Sequence, residues 1–128
     1  MWMTVLVVDD LPIMRAIIKD ILTRFGGFDS EGVFEAEDGG AAVKLYAERR
    51  PDIVFLDVYM PGMDGLEAVK AICAINPKAK IIMCTGRGEE DGVAHCLRAG
   101  AVECVNKPVS PEQILAAVEA AMGRPASG

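Results

Sequence analysis

An unbroken apolar run of strand length, Ile53 Val54 Phe55 Leu56, stops at a single acid, Asp57, and is followed at once by Val58 Tyr59 Met60 Pro61 Gly62 and then Asp64 Gly65. A run that short and continuous describes a strand covered on both faces, the habit of parallel sheets flanked by helices. It also delivers one carboxylate to the end of a buried strand. Two further runs also end in polar groups: Met3 to Val8 leads into Asp9 and Asp10, and Ala101 to Val105 leads into Asn106, Lys107 and Pro108.

Between these runs the apolar period changes from continuous to helical. From Leu11 to Phe25, the residues Met14, Ile17, Ile18, Ile21, Leu22 and Phe25 share one face, with Arg15, Lys19, Asp20 and Arg24 opposite, and Gly26 Gly27 stop the helix. Val33 to Ala36 is a weaker strand. Asp38 Gly39 Gly40 turns into a second helix carrying Ala42, Val43 and Tyr46, which ends before Pro51. A third helix starts near Asp64, with Leu66, Val69, Ile72 and Cys73 inward, and closes at Asn76 Pro77. Lys80 to Cys84 forms a strand ending in Thr85 Gly86. Glu89 to Ala99 is a helix with a poor stripe of Val93, Cys96 and Leu97, and Gly100 caps it. After the strand at Ala101–Val105, a last helix begins at Ser110 or Pro111, with Ile114, Leu115, Val118, Ala121 and Met122 inward. Five strands alternating with five helices predict a doubly wound α/β fold around a five-stranded parallel sheet. Ligands of such sheets bind beyond the carboxyl ends of the strands, where every polar group noted above lies.

A chain of 128 residues is one domain by size and buries a sufficient core without staples. Its net charge of -6 argues against direct contact with nucleic acid, which needs clustered Lys and Arg. Cys73, Cys84, Cys96 and Cys104 form no C-x-x-C pair, and His95 completes no zinc set with them, so all four read as small buried or half-buried hydrophobes in a reducing compartment. No apolar run approaches the roughly 20 residues of a membrane span. The expectation is a soluble, cytoplasmic protein with no membrane partner, folded over residues 1–122, with 123–128 as a flexible tail.

Taken singly, Asp9 and Asp10 are ordinary helix-capping residues, Asp57 a turn residue, Thr85 strand filler and Lys107 a solvated lysine. Their coincidence at the same end of four strands argues otherwise. At ~4 Å and an effective dielectric near 20, each carboxylate pair repels by about 4 kcal/mol, so such a cluster takes up protons or recruits a cation. An anionic, all-oxygen pocket suits a hard divalent ion, and Mg²⁺ retains waters that a phosphate oxygen can replace. With Lys107 alongside, the set describes phosphoryl chemistry with Asp57 as nucleophile.

LVVDD, EAEDG, the D-x-x-M-P-G-M-D-G-L-E segment and the K-P pair stand here in an order and spacing that resemble a response regulator receiver domain of the CheY-like, single-domain chemotaxis type, from about Met3 to Met122. The resemblance implies the flavodoxin-like strand order 2-1-3-4-5. It implies Asp57 as phosphoacceptor, with Asp9, Asp10, Asp57 and the backbone carbonyl of Tyr59 around Mg²⁺. It implies Thr85 and Lys107 as partners of the phosphoryl group, and a cis Lys107–Pro108 bond. The partners implied are a histidine kinase or phosphotransfer protein upstream, and downstream a target protein at the surface of the fourth helix, fifth strand and fifth helix. Such a protein promotes its own phosphorylation and dephosphorylation and is not a turnover enzyme.

Two departures stand out. The family's usual aromatic residue three positions before the lysine is replaced by Cys104, so the ring that reports the threonine's movement is missing. Tyr59 and Arg87, two residues beyond Asp57 and Thr85, occupy positions that flank the phosphoryl group and tune its hydrolysis. Competing readings are a receiver cut from a longer regulator with an effector domain, a phosphorylation-independent interaction module, a flavin-binding electron carrier, and an aspartyl-phosphate phosphatase. Asp9 and Asp10 would repel a flavin phosphate, and the phosphatase's second acid is replaced by Tyr59.

Overall fold

The computed structural model describes residues 3–60 and 62–123. The expected tail lies outside them except for Gly123. Five strands, β1 (Val5–Val8), β2 (Val33–Ala36), β3 (Ile53–Asp57), β4 (Ile81–Thr85) and β5 (Glu103–Asn106), alternate with five helices. The helices are α1 (Pro12–Arg24), α2 (Gly39–Arg49), α3 (Gly65–Ile75), α4 (Glu90–Ala99) and α5 (Pro111–Ala121). All pairings are parallel and the order is β2-β1-β3-β4-β5, as expected.

The period of two along each strand divides the core. Leu6, Val8, Val54, Leu56, Ile81 and Met83 point to the face covered by α2, α3 and α4, against Tyr46, Val69 and Ile72. Val5, Val7, Ile53, Phe55, Ile82, Cys84 and Val105 point to the opposite face, against Ile18, Leu22, Ile114 and Val118 of α1 and α5. Burying both faces of β1, β3 and β4 requires the continuous apolar runs seen in the chain.

Caps match their side chains. Asp38, Asp64 and Ser110 each accept a hydrogen bond from the backbone N–H three residues on, opening α2, α3 and α5. Arg50 closes α2 in the left-handed region at φ 46, just before Pro51.

Several expected boundaries and faces are corrected. β1 begins at Val5, because Thr4 is instead tied through its N–H to the Asp52 carboxylate at 2.8 Å. β4 is shifted by one and takes in Thr85. β5 begins at Glu103, because the Ala101 N–H closes α4 on the Cys96 carbonyl, and it runs on through Asn106. Ile17, on the flank of the α1 stripe, is exposed, and so is Phe25, which as the C-cap has left the helical projection. Leu97 is exposed because α4 is covered only on the side facing α3 and β4. Cys104 is exposed, not buried or half-buried, because it alternates with inward Val105 on the edge strand. Arg15 does not face solvent but turns back over the loop after β1. Among the described residues no helix is long and apolar enough to cross a membrane.

Candidate functional site

Register builds the site. Val8 lies opposite Leu56, Asp57 opposite Cys84, and Cys84 opposite Val105, so Asp9 follows at the level of Asp57 while Thr85 stands one residue and Lys107 two residues farther along the same carboxyl edge. Asp9, Asp57 and Lys107 each follow by two residues a side chain on the α1/α5 face, namely Val7, Phe55 and Val105. They therefore emerge on the same side of the sheet. Lys107 Nζ donates to Asp9 Oδ2 and to Asp57 Oδ1, at 3.1 Å in both cases. The Lys107–Pro108 bond is cis, as expected.

Asp9 is held at every polar atom. Its N–H donates to the Ala36 carbonyl at 3.2 Å and its own carbonyl accepts from Arg15 Nη1 at 2.7 Å. Its Oδ1 accepts from the Leu11 N–H at 2.9 Å, and Oδ2 from Lys107. Arg15 is fixed in turn by Glu35 on β2, 3.1 Å from Nε. Asp10, next in the chain, is exposed.

Oxygens of Asp9, Asp10 and Asp57 lie within 4.8 Å of one another, so the cluster can coordinate a divalent metal. The donors are all hard oxygens, and Asp10 opens the cluster to solvent, which fits an ion that keeps part of its water shell. Burial is the main reason that the Asp57 pKa is raised from 3.8 to about 6; Lys107 opposes the rise, and Asp9 and Glu89 add to it. Burial works against the Lys107 ammonium, but Asp57 and Asp9 outweigh it and the net direction is up. Cys84, beside Asp57, is pushed up to about 12, chiefly by burial, and stays a thiol.

Thr85 is buried, but it has the parity of Met83 and leans toward the other face of the sheet. Its hydroxyl lies 3.2 Å from the Gly86 carbonyl and 3.3 Å from Glu89 Oε1. Tyr59 is exposed, and its ring borders a cleft of 210 Å³ shared with Val58, Asp64, Leu66, Gly92, His95 and Cys96. Arg87 is exposed and, among the described residues, its guanidinium makes no hydrogen bond or ion pair. Cys104, opposite Met83 on β5, stands away from the carboxylates. The fold thus gathers Asp9, Asp10, Asp57 and Lys107, sets Thr85 at their edge, and leaves the Arg87 and Cys104 side chains exposed.

Two residues of the site were not legible as such. Arg15 read as one of four polar positions on the outer face of a helix. Glu89 read only as a helix start, although its distance of three residues from Gly86 is the reach-back spacing of a capping box.

Comparison with known proteins agrees with this geometry. The chain is 42% identical over 114 residues to the chemotaxis protein CheY of Thermotoga maritima, covering 89% of this chain and 92% of that one. It is 46% identical over 116 residues to the chemotaxis protein CheY of Listeria monocytogenes, covering 91% and 95%. Among solved structures, the receiver domain of NtrX from Brucella abortus superimposes with a TM-score of 0.85 at 28% identity, covering 93% of this chain and 98% of that one. With the family described as response regulator receiver domain matching residues 5–119, the acids and lysine gathered at the carboxyl edge of this sheet place the chain in that family.

Proposed function

We propose that the chain is a two-component signalling switch in which Asp57 accepts a phosphoryl group from a phosphohistidine on a histidine kinase or phosphotransfer protein. The receiver unit is taken to span residues 1–122, which the family match at 5–119 supports. The observation that carries the reading is the lysine shared by two carboxylates: Lys107 Nζ at 3.1 Å from both Asp9 and Asp57. It is a fixed cation beside Asp57, whose pKa burial raises to about 6.

Asp57 Oδ attacks phosphorus in line as the bond to the donor's imidazole nitrogen breaks, and the donor leaves as neutral imidazole after protonation. Lys107 orients the attacking carboxylate and then pairs with a phosphoryl oxygen. Asp9, held through Arg15, Leu11 and Ala36, keeps its carboxylate in place without needing to reorganise. Asp9, Asp10, Asp57 and the carbonyl of Tyr59 would hold Mg²⁺, which when bound neutralises charge developing on the phosphoryl oxygens. The Thr85 hydroxyl supplies a further donor once the phosphoryl group is in place, and Tyr59 and Arg87 flank the entrance to it.

The protein is then a phosphoacceptor working in the cytoplasm, with no direct part for nucleic acid or membrane. Likeness to CheY proteins favours chemotaxis as the process, with a downstream protein recognised at α4, β5 and α5. Mixing the protein with Mg²⁺ and acetyl phosphate tests the reading. A labile phosphoryl adduct is expected by intact-mass spectrometry and is expected to be absent from Asp57→Ala; an adduct that persists in that variant refutes the assignment.

A further inference from the structure

Glu89 is the last residue before α4, and its side chain does not cap that helix. It turns back toward the end of β4, where Oε1 accepts from the Gly86 N–H at 2.6 Å and lies 3.3 Å from the Thr85 hydroxyl. That hydroxyl has one proton and two acceptors within reach, the Gly86 carbonyl at 3.2 Å and the Glu89 carboxylate. The charged oxygen is the stronger acceptor. A carboxylate therefore occupies the donor that a phosphoryl oxygen on Asp57 would need, together with the neighbouring backbone N–H.

We propose that Glu89 is a positioning residue that latches the unmodified state, holding Thr85 and Gly86 until an incoming phosphoryl group displaces it and frees the start of α4. The inference rests on Asp57 being the phosphoacceptor. Two features support it. The Thr85 hydroxyl is directed to the β4–α4 loop, within reach of the Gly86 carbonyl and of Glu89. The backbone of Glu89 is the first turn of α4, since its carbonyl accepts from the Val93 N–H at 3.0 Å, so a displaced side chain moves the helix that it begins. With Cys104 in place of a ring, this carboxylate supplies a path from the phosphoryl group to the α4 surface that needs no aromatic residue. Two anions cannot share one hydroxyl proton, and their mutual repulsion makes the exchange two-state.

The test uses the whole chain with Mg²⁺ and beryllofluoride, a phosphoryl mimic, followed by the amide signals of Thr85 and Gly86 in nitrogen–proton correlation spectra. Glu89→Ala removes latch and charge; Glu89→Gln keeps an acceptor of nearly the same shape and removes only the charge. If the latched form predominates about tenfold, its removal tightens apparent beryllofluoride binding about tenfold. Glu89→Ala is expected to approach that value and Glu89→Gln to fall between it and the unsubstituted protein. The Gly86 amide of Glu89→Ala is expected to be shifted before any beryllofluoride is added. Unchanged half-saturation in both variants, with beryllofluoride still bound by the unsubstituted protein, overturns the latch alone. Failure of the unsubstituted protein to bind beryllofluoride overturns the phosphoacceptor reading and the latch with it.

Discussion

Gly92 and Tyr59 face each other across the gap between the β3–α3 loop and α4. A methyl group added at Gly92 would stand 3.1 Å from the Tyr59 hydroxyl oxygen and 2.8 Å from Cγ1 of buried Val58. The absent side chain is what lets the ring lie along the helix. Gly92→Ala gains up to about 1 kcal/mol of helix propensity but overpacks Val58, and a net loss of about 1–2 kcal/mol is expected in urea denaturation. A stabilised variant would show that the loop yields freely and that the contact does not constrain Tyr59.

Tyr59 follows Asp57 by two residues, the position proposed above to flank the phosphoryl group. Tyr59→Asn is expected to shorten the lifetime of the phosphoryl group severalfold by admitting water, as followed by decay of phosphorylated protein after the phosphodonor is removed. An unchanged decay rate would show that the ring is no gate.

Asp57 carries a pH signature. Its folded pKa of about 6 stands above the ordinary 3.8, so the folded state holds this proton more tightly than the unfolded chain does. Its contribution to stability therefore falls as pH rises from about 4 to about 6 and stays reduced above that range. With divalent metal chelated, Asp57→Asn is expected to be more stable than the unsubstituted protein at pH 8, by at most about 3 kcal/mol, and no more stable at pH 4. Equal thermal midpoints at both pH values would contradict the raised pKa.

Lys107→Met removes the cation that Asp9 and Asp57 share. Because the lysine is partly solvated, the expected cost at pH 8 is about 1–3 kcal/mol, below that of a fully buried pair. The loss should shrink near pH 5, where Asp57 takes up a proton. Paired melts at the two pH values check this, and a pH-independent loss would assign it to packing of the lysine stem.

Asp10 is exposed and lies within the carboxylate cluster. Mg²⁺ at a hundredfold excess over its Kd stabilises the folded state by about 2.7 kcal/mol. Asp10→Asn is expected to lose most of that Mg²⁺-dependent rise in Tm at the same concentration, with little change in chelator. A full Mg²⁺ response in the variant would remove Asp10 from the ligand set.

Much of this was legible in the chain. Strands buried on both faces must be continuous apolar runs, so β3 and β1 announced themselves, and the residues that stop such runs necessarily stand at the strand ends. Asp9, Asp57 and Lys107 were identifiable on that ground, and the helix starts near Asp38, Asp64 and Ser110 were placed, their capping hydrogen bonds being seen only in the structure. Which apolar residues stay exposed was not legible. Ile17, Phe25 and Leu97 follow the helical period, but whether a stripe's edge is covered depends on the neighbouring element, which local pattern does not specify.

The linear order of residues determined the number and alternation of elements and the delivery of three acids and a lysine to one edge, because strand length, side-chain period and capping are local properties. Only the tertiary structure decided who touches whom. Register put Lys107 between Asp9 and Asp57, strand parity turned Thr85 away from them, and the tight turn into α4 brought Glu89 back onto Thr85 and Gly86. These contacts join groups up to 98 residues apart or depend on the direction in which a loop folds, and both are set by packing of the whole sheet and its helices.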